Sequence, residues 1–244
     1  MIQGILAIMW KEYKETFAKR GMRSAIPLLV LPIVVLGIFL PWQMGKDWLI
    51  SPVTMLMWAW LPAFVVISIV ADSFAGERER HTLETLLASR LSDRAILFGK
   101  IGYAIIYSWG ITLVGMVVAL LTVNLLYGNG GLLWYSTDTL LIGTTLSLLV
   151  ATLVTTGGCL ISLRASTVRQ AQQTISMLFM VPWFALMFGA QLIPADWTAG
   201  VSAVFSTMSF TSILALAEVL LAIVDAGLIA VTMARFKRAK LAID

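Results

Sequence analysis

Four successive charges, Glu77-Arg78-Glu79-Arg80, stand between two long apolar runs, and the stretch around them, Ser73 to Lys100, holds nine charged residues. A charge at the centre of a bilayer costs roughly 2.5–3.5 kcal/mol on insertion scales, so this stretch belongs outside the hydrocarbon. Neighbouring Glu and Arg do not face one another along a helix. They form a solvated helix end, or they pair with other elements or another subunit. Leu83, Leu86 and Leu87 follow at three- and four-residue steps. So narrow an apolar stripe suits a short helix docked into another surface. The expectation is a contact through which a second protein acts on this one.

Two further acids fall inside an apolar run. Glu218 and Asp225 are seven residues apart and share one helix face. They bind a cation or the basic group of a substrate, pair with Arg or Lys near a helix end, or stay protonated and hydrogen-bonded within a bundle. Other chemistry is hard to find. A phosphate loop needs Gly, four residues, then Gly-Lys-Ser/Thr. At Gly99-Lys100 the next residue is Ile101, and Arg94 stands where the first glycine belongs. The lone Cys159 and the lone His81 build neither a disulfide nor a metal cluster. Neither a catalytic group nor a cofactor of the chain's own is expected.

The elements that carry these residues read as membrane helices. Only 12% of the 244 residues are charged and the mean hydropathy is +0.92, half the usual charge of a soluble domain. Apolar runs near the length of a bilayer crossing predict an all-α integral membrane domain, 1–244, with six transmembrane helices. The spans fall at about 25–40, 53–72, 101–127, 139–163, 174–192 and 212–233. Pro32 is expected to kink the first. Residues 41–52, with Pro41, Trp42 and Trp48, read as an outer loop with aromatic anchors, and Trp58 and Trp60 as lipid- or partner-facing. Small and hydroxylated residues of the fourth span, Thr144 to Gly158, suit close helix packing; the alternative is that they line a polar pathway. Pro194 to Trp197 marks an outer surface and 198–210 an outer re-entrant or interfacial piece.

Residues 1–24 do not read as a signal peptide. Ile2, Ile5, Leu6, Met9, Trp10, Tyr13 and Phe17 recur at helical spacing, with Lys11, Lys14, Glu15 and Lys19 mostly opposite. That predicts an amphipathic helix over 2–20 lying in the membrane interface; the alternative is a soluble helix packed on a partner. With six spans and both termini inside, 16 of the 17 Lys and Arg residues fall on the cytoplasmic side and only Lys46 outside. The net charge of +4 follows from this topology and is not a nucleic-acid signal.

Ser73-Phe74-Ala75-Gly76-Glu77-Arg78-Glu79-Arg80, then Thr82 to Leu87, then Ser92 to Lys100, resemble the permease subunits of ABC exporters of the second export class. His81 departs from the pattern, which has Gly there. The resemblance implies an N-terminal elbow helix and a cytoplasmic coupling helix over 82–89 in loop 73–100, with Thr82 as its N-cap. It implies docking to an ABC ATPase through Glu77, Glu79, Thr82, Leu83, Glu84, Leu86 and Leu87, the leucines facing the ATPase groove and Glu77 and Glu79, at the end of the second span, sitting near the elbow helix or the ATPase. Two ATPase subunits carrying ATP and Mg would pair with two permeases, alike or different, in the inner membrane of a prokaryote. Hydrophobic or amphipathic cargo suits the Met-, Trp- and Phe-rich fifth span. Sodium or polysaccharide export, and a non-transporting scaffold or sensor, are the alternatives; Glu218 and Asp225 would serve sodium.

Overall fold

The computed structural model describes residues 1–19, 30–128, 130–189 and 209–236, and their regular structure is entirely helical. In order these are α1 (Ile2–Lys19), α2 (Val30–Leu49), α3 (Pro52–Glu79), α4 (Leu83–Leu87), α5 (Asp93–Tyr127), α6 (Thr137–Ser162), α7 (Val168–Gly189) and α8 (Phe210–Arg235). Helices α2, α3, α5, α6 and α8 are long and apolar enough to cross a membrane, so the chain is a multi-pass membrane protein. Helix α7, though 22 residues long, does not reach that apolarity within its described residues. Its first turns carry Arg169, Gln170, Gln172 and Gln173.

Serine hydroxyls start four of these helices. Ser51 Oγ accepts from Val53 N at 3.3 Å, Ser92 Oγ from Ala95 N at 3.3 Å, Ser136 Oγ from Thr139 N at 3.1 Å and Ser209 Oγ from Ser212 N at 3.2 Å. Each satisfies a first-turn N–H that has no carbonyl partner within the helix. The Ser92 cap begins α5 eight residues before the expected start of its span, so the charged stretch is itself partly helical.

Residues 41–52 are not the expected loop. Helix α2 runs through Pro41 to Leu49, with a π turn over Val35–Phe39 and a 3-10 turn over Gly45–Leu49. Pro41 has no N–H to give the Gly37 carbonyl, and the Thr122 hydroxyl donates to that carbonyl instead, at 2.8 Å. Trp48 and Trp58 are not at the surface either. Both are fully buried and meet edge-on with centroids 6.0 Å apart, in an apolar cluster with Leu61, Val65, Met116 and Val123. Trp42 is the exposed one.

The main seam joins α3 and α6. The hydroxyls and glycines of α6 serve packing: Ser147, Thr155 and Thr156 are fully buried. A Cβ on Gly158 would come within 2.6 Å of Val70 Cγ1 on α3. A larger apolar cluster lies at the charged end of the bundle and takes in Val66, Val70, Phe74, Ile96, Val154 and Ile175. Expectations for Pro27, for the end of the fifth span at 190–192, for 194–208 and for the basic tail at 237–240 lie outside the described residues.

Gly158→Ala is expected to push α3 and α6 apart and cost about 1–3 kcal/mol, read as a lower melting temperature in detergent. Gly143→Ala is the control, because a Cβ there meets only ordinary contacts at 3.9 and 4.0 Å. Equal stability of the two variants would refute so close a seam.

Candidate functional site

The last turns of α3 depart from α-helical geometry over Asp72–Gly76, a π turn. Ser162 at the end of α6 supports this widening. Its hydroxyl accepts from Phe74 N at 3.2 Å and Ala75 N at 3.0 Å, and donates to Ala71 O at 3.0 Å. π turns are frequent at functional positions. Here the turn re-aims the four charges that follow, and each goes to a different element.

Glu77 is 1% exposed. Its Oε1 accepts from Lys100 Nζ of α5 at 2.8 Å and from Lys11 Nζ of α1 at 2.5 Å. Lys100, equally buried, also donates to Glu12 Oε1 of α1 at 2.6 Å and to Ser73 O at 2.7 Å, while its ammonium stands 5.2 Å from the centre of the Phe74 ring. Lys100, Glu77 and Glu12 thus form a buried cluster that binds α1, α3 and α5 together, with the part-exposed Lys11, which also bridges Glu15 at 3.2 Å, at its edge. A buried charge needs both an opposite charge and hydrogen bonds to offset its lost hydration, and Lys100 has all three of its protons placed.

Arg78 turns to the end of α6. Its guanidinium donates to Leu163 O at 2.9 Å and to Ala165 O, carbonyls left open where the helix stops. Glu79 Oε1 accepts from Val168 N at 2.9 Å, at the first residue of α7, where a carboxylate complements the positive end of the helix. Arg80 Nη1 pairs with Asp72 Oδ1 at 2.8 Å. That bridge passes over Gly76, where a Cβ would lie 2.0 Å from Asp72 Oδ1.

Glycine also admits α1 to the hub. A Cβ on Gly99 would lie 2.5 Å from Ile8 Cβ, and one on Gly4 would lie 3.2 Å from Ala95 Cβ. Gly99 lets the helices touch, and Lys100, the next residue, locks them by charge.

The predicted docking residues therefore divide. Glu77 is buried and bound inside the chain, where it meets α1 and α5, whereas Glu79, bonded to the first N–H of α7, is exposed. Leu83 and Leu86, 7% and 9% exposed, lie in the protein's own core. The apolar stripe of α4 faces inward, not toward an external groove; the side chain of Leu87 lies outside the described residues. Thr82 occupies the N-cap position of α4 without capping by its side chain, its hydroxyl donating instead to Glu77 O at 3.3 Å. Glu84 is exposed, as are Thr85, Ala88 and Arg90 around it. His81 has φ of 55°, a backbone region that favours glycine, so the resembled pattern's Gly answers a real constraint at this position.

Glu218 and Asp225 lie on α8, away from the hub. The Thr145 hydroxyl of α6 donates to Glu218 Oε1. Asp225 is 4% exposed, and among the described residues neither of its oxygens has a hydrogen-bond partner. Neither acid forms an ion pair among the described residues.

Sequence reasoning missed Glu12. Its signal is position: Ile5, Ile8 and Glu12 lie at three- and four-residue steps, so an acid sits on an apolar stripe. Compared with known protein families, curated proteins and solved structures, the chain matches none.

Lys100→Met would leave Glu12 and Glu77 enclosed with one cation fewer, and is expected to cost about 3–5 kcal/mol. Adding Glu77→Gln should recover part of that. Thermal unfolding reads both, and a single variant as stable as the parent would show that the cluster carries no weight. His81→Gly should be neutral or stabilise by up to about 1 kcal/mol in the same assay.

Proposed function

We propose that the chain is the membrane permease subunit of an ABC exporter of the second export class. One observation carries the reading: a short helix anchored by Leu83 and Leu86 to the core and backed by four internally paired charges. Such a helix is a rigid projection whose exposed side is polar. It supports transmission of force from a partner better than it supports catalysis, since the chain offers no nucleotide loop.

On this reading α1 is the elbow helix and α4 the coupling helix. The hub lies on the cytoplasmic side, and α7 continues into a sixth span. Both termini are cytoplasmic, in the inner membrane of a prokaryote. Two copies of an ABC ATPase bind ATP and Mg, a second permease completes the path, and hydrophobic or amphipathic small molecules are the cargo. The ATPase meets Glu84, Thr85 and Ala88 rather than the leucines. ATP-driven closure moves α4, and the hub passes that movement to α1, α5, α6 and α7.

Mild-detergent purification from native membranes, followed by mass identification, tests this. A stoichiometric ATPase subunit is expected, together with ATP hydrolysis that requires it. Glu84→Arg with Thr85→Trp should release the ATPase at unchanged melting temperature. Leu83→Asp with Leu86→Asp should instead unfold the charged end, because buried unpaired carboxylates are costly. Robust ATP hydrolysis by the purified chain alone would sink the proposal.

A further inference from the structure

Helix α1 meets α5 along only one of its faces. Beside that contact Met9, Trp10 and Tyr13 of α1 and Tyr103, Ile106 and Tyr107 of α5 line a groove of about 290 Å³. Its walls are apolar and aromatic. Trp10 stacks on Tyr13 with centroids 5.5 Å apart, and the Tyr103 and Tyr107 rings meet tilted at 5.7 Å. The groove continues along α5, since Tyr103, Ile106, Tyr107 and Gly110 share a face and a Cβ at Gly110 would meet nothing within 4 Å. Exposed Val114 and Val117 extend the track. From Ile106 to Val117 is about 16 Å at 1.5 Å per residue, close to half of a hydrocarbon core about 30 Å thick. A charge stands against one wall of the groove: Lys14, exposed, places its Nζ 5.2 Å from the centre of the Trp10 ring.

We propose that this groove binds one anionic phospholipid, an acyl chain lying along Tyr103, Ile106 and Gly110 and the phosphate meeting Lys14. A cation beside a single-leaflet apolar track fits an anionic amphiphile, and aromatic rings at headgroup depth suit the boundary between its two parts. The proposal rests on the membrane disposition of the chain and not on the transporter reading. Its readout is lipid retention, so either can fail alone.

The test uses the full chain, delipidated in mild detergent, with phosphatidylglycerol or phosphatidylcholine added and retention counted by native mass spectrometry. Phosphatidylglycerol should be retained about fivefold over phosphatidylcholine, and Lys14→Gln should erase that preference. Lys14→Arg should keep it. Gly110→Leu should lower retention of both lipids by filling the track. Both positions are open enough for the variants to fold, and size-exclusion profiles check this. Equal retention of the two lipids, no retention of either, a preference unmoved by Lys14→Gln, or retention unmoved by Gly110→Leu would each overturn the proposal.

Discussion

The ammonium of Lys100 sits between two carboxylates from different helices, 2.6 Å from Glu12 and 2.8 Å from Glu77, and is 3% exposed. Stripping an ammonium of water costs several kcal/mol, recovered only when the geometry around it is good. That requirement propagates outward. Glu77 reaches Lys100 only if the end of α3 is rotated by the π turn over Asp72–Gly76, and the π turn leaves N–H groups that Ser162 must accept. Glu12 reaches Lys100 only if α1 lies directly on α5, which the bare backbone at Gly99 permits. One desolvated cation therefore constrains α1, α3, α5 and α6 together.

The remaining charges of the run extend the same logic to helix ends. Arg78 takes the open carbonyls after α6 and Glu79 the open N–H of α7. Helix termini carry unsatisfied groups that water would otherwise serve. Serving them from a single segment makes that segment the mechanical junction of the bundle. With Leu83 and Leu86 buried just beyond it, α4 would carry its neighbours with it when displaced, rather than swinging on a loose loop.

The membrane helices were legible from composition and periodicity, because hydrocarbon permits few alternatives to apolar helices. The ends of α6 and α8 and the start of α3 fall within two residues of their expected positions, while α3 runs seven residues past its expected end. The loop expected at 41–52 was misread because prolines and tryptophans signal a turn or an interface locally, whereas Thr122, eighty-one residues after Pro41, supplies the donor that keeps α2 helical. The charged run was recognised as the organising stretch, but its direction was not. A stripe of leucines reads the same whether it faces its own core or a partner, and only tertiary contact showed that Leu83 and Leu86 face inward. For Glu77 and Glu79 the elbow helix and the ATPase were both open, because their partners, Lys11, Lys100 and the start of α7, lie far along the chain. Asp225 was legible as an acid in a span, though not as one without a hydrogen-bond partner among the described residues.

A buried ion cluster is often no more stable than well-packed apolar residues of equal size, so its use on α1 calls for a reason other than stability. Helix α1 has two apolar faces. Ile5 and Ile8 face α5, while Ile2, Leu6, Trp10 and Tyr13 are exposed, roughly 120° away at 100° per residue. Apolar packing alone distinguishes poorly between these faces, because either could cover α5 and leave the other to lipid. Glu12 lies on the first face only, and Lys100 waits beneath it. Rotating α1 to its other face would strand both charges, a penalty of several kcal/mol against a small difference in apolar area. The charges thus fix the rotation of α1 and with it the face that α1 turns to the membrane.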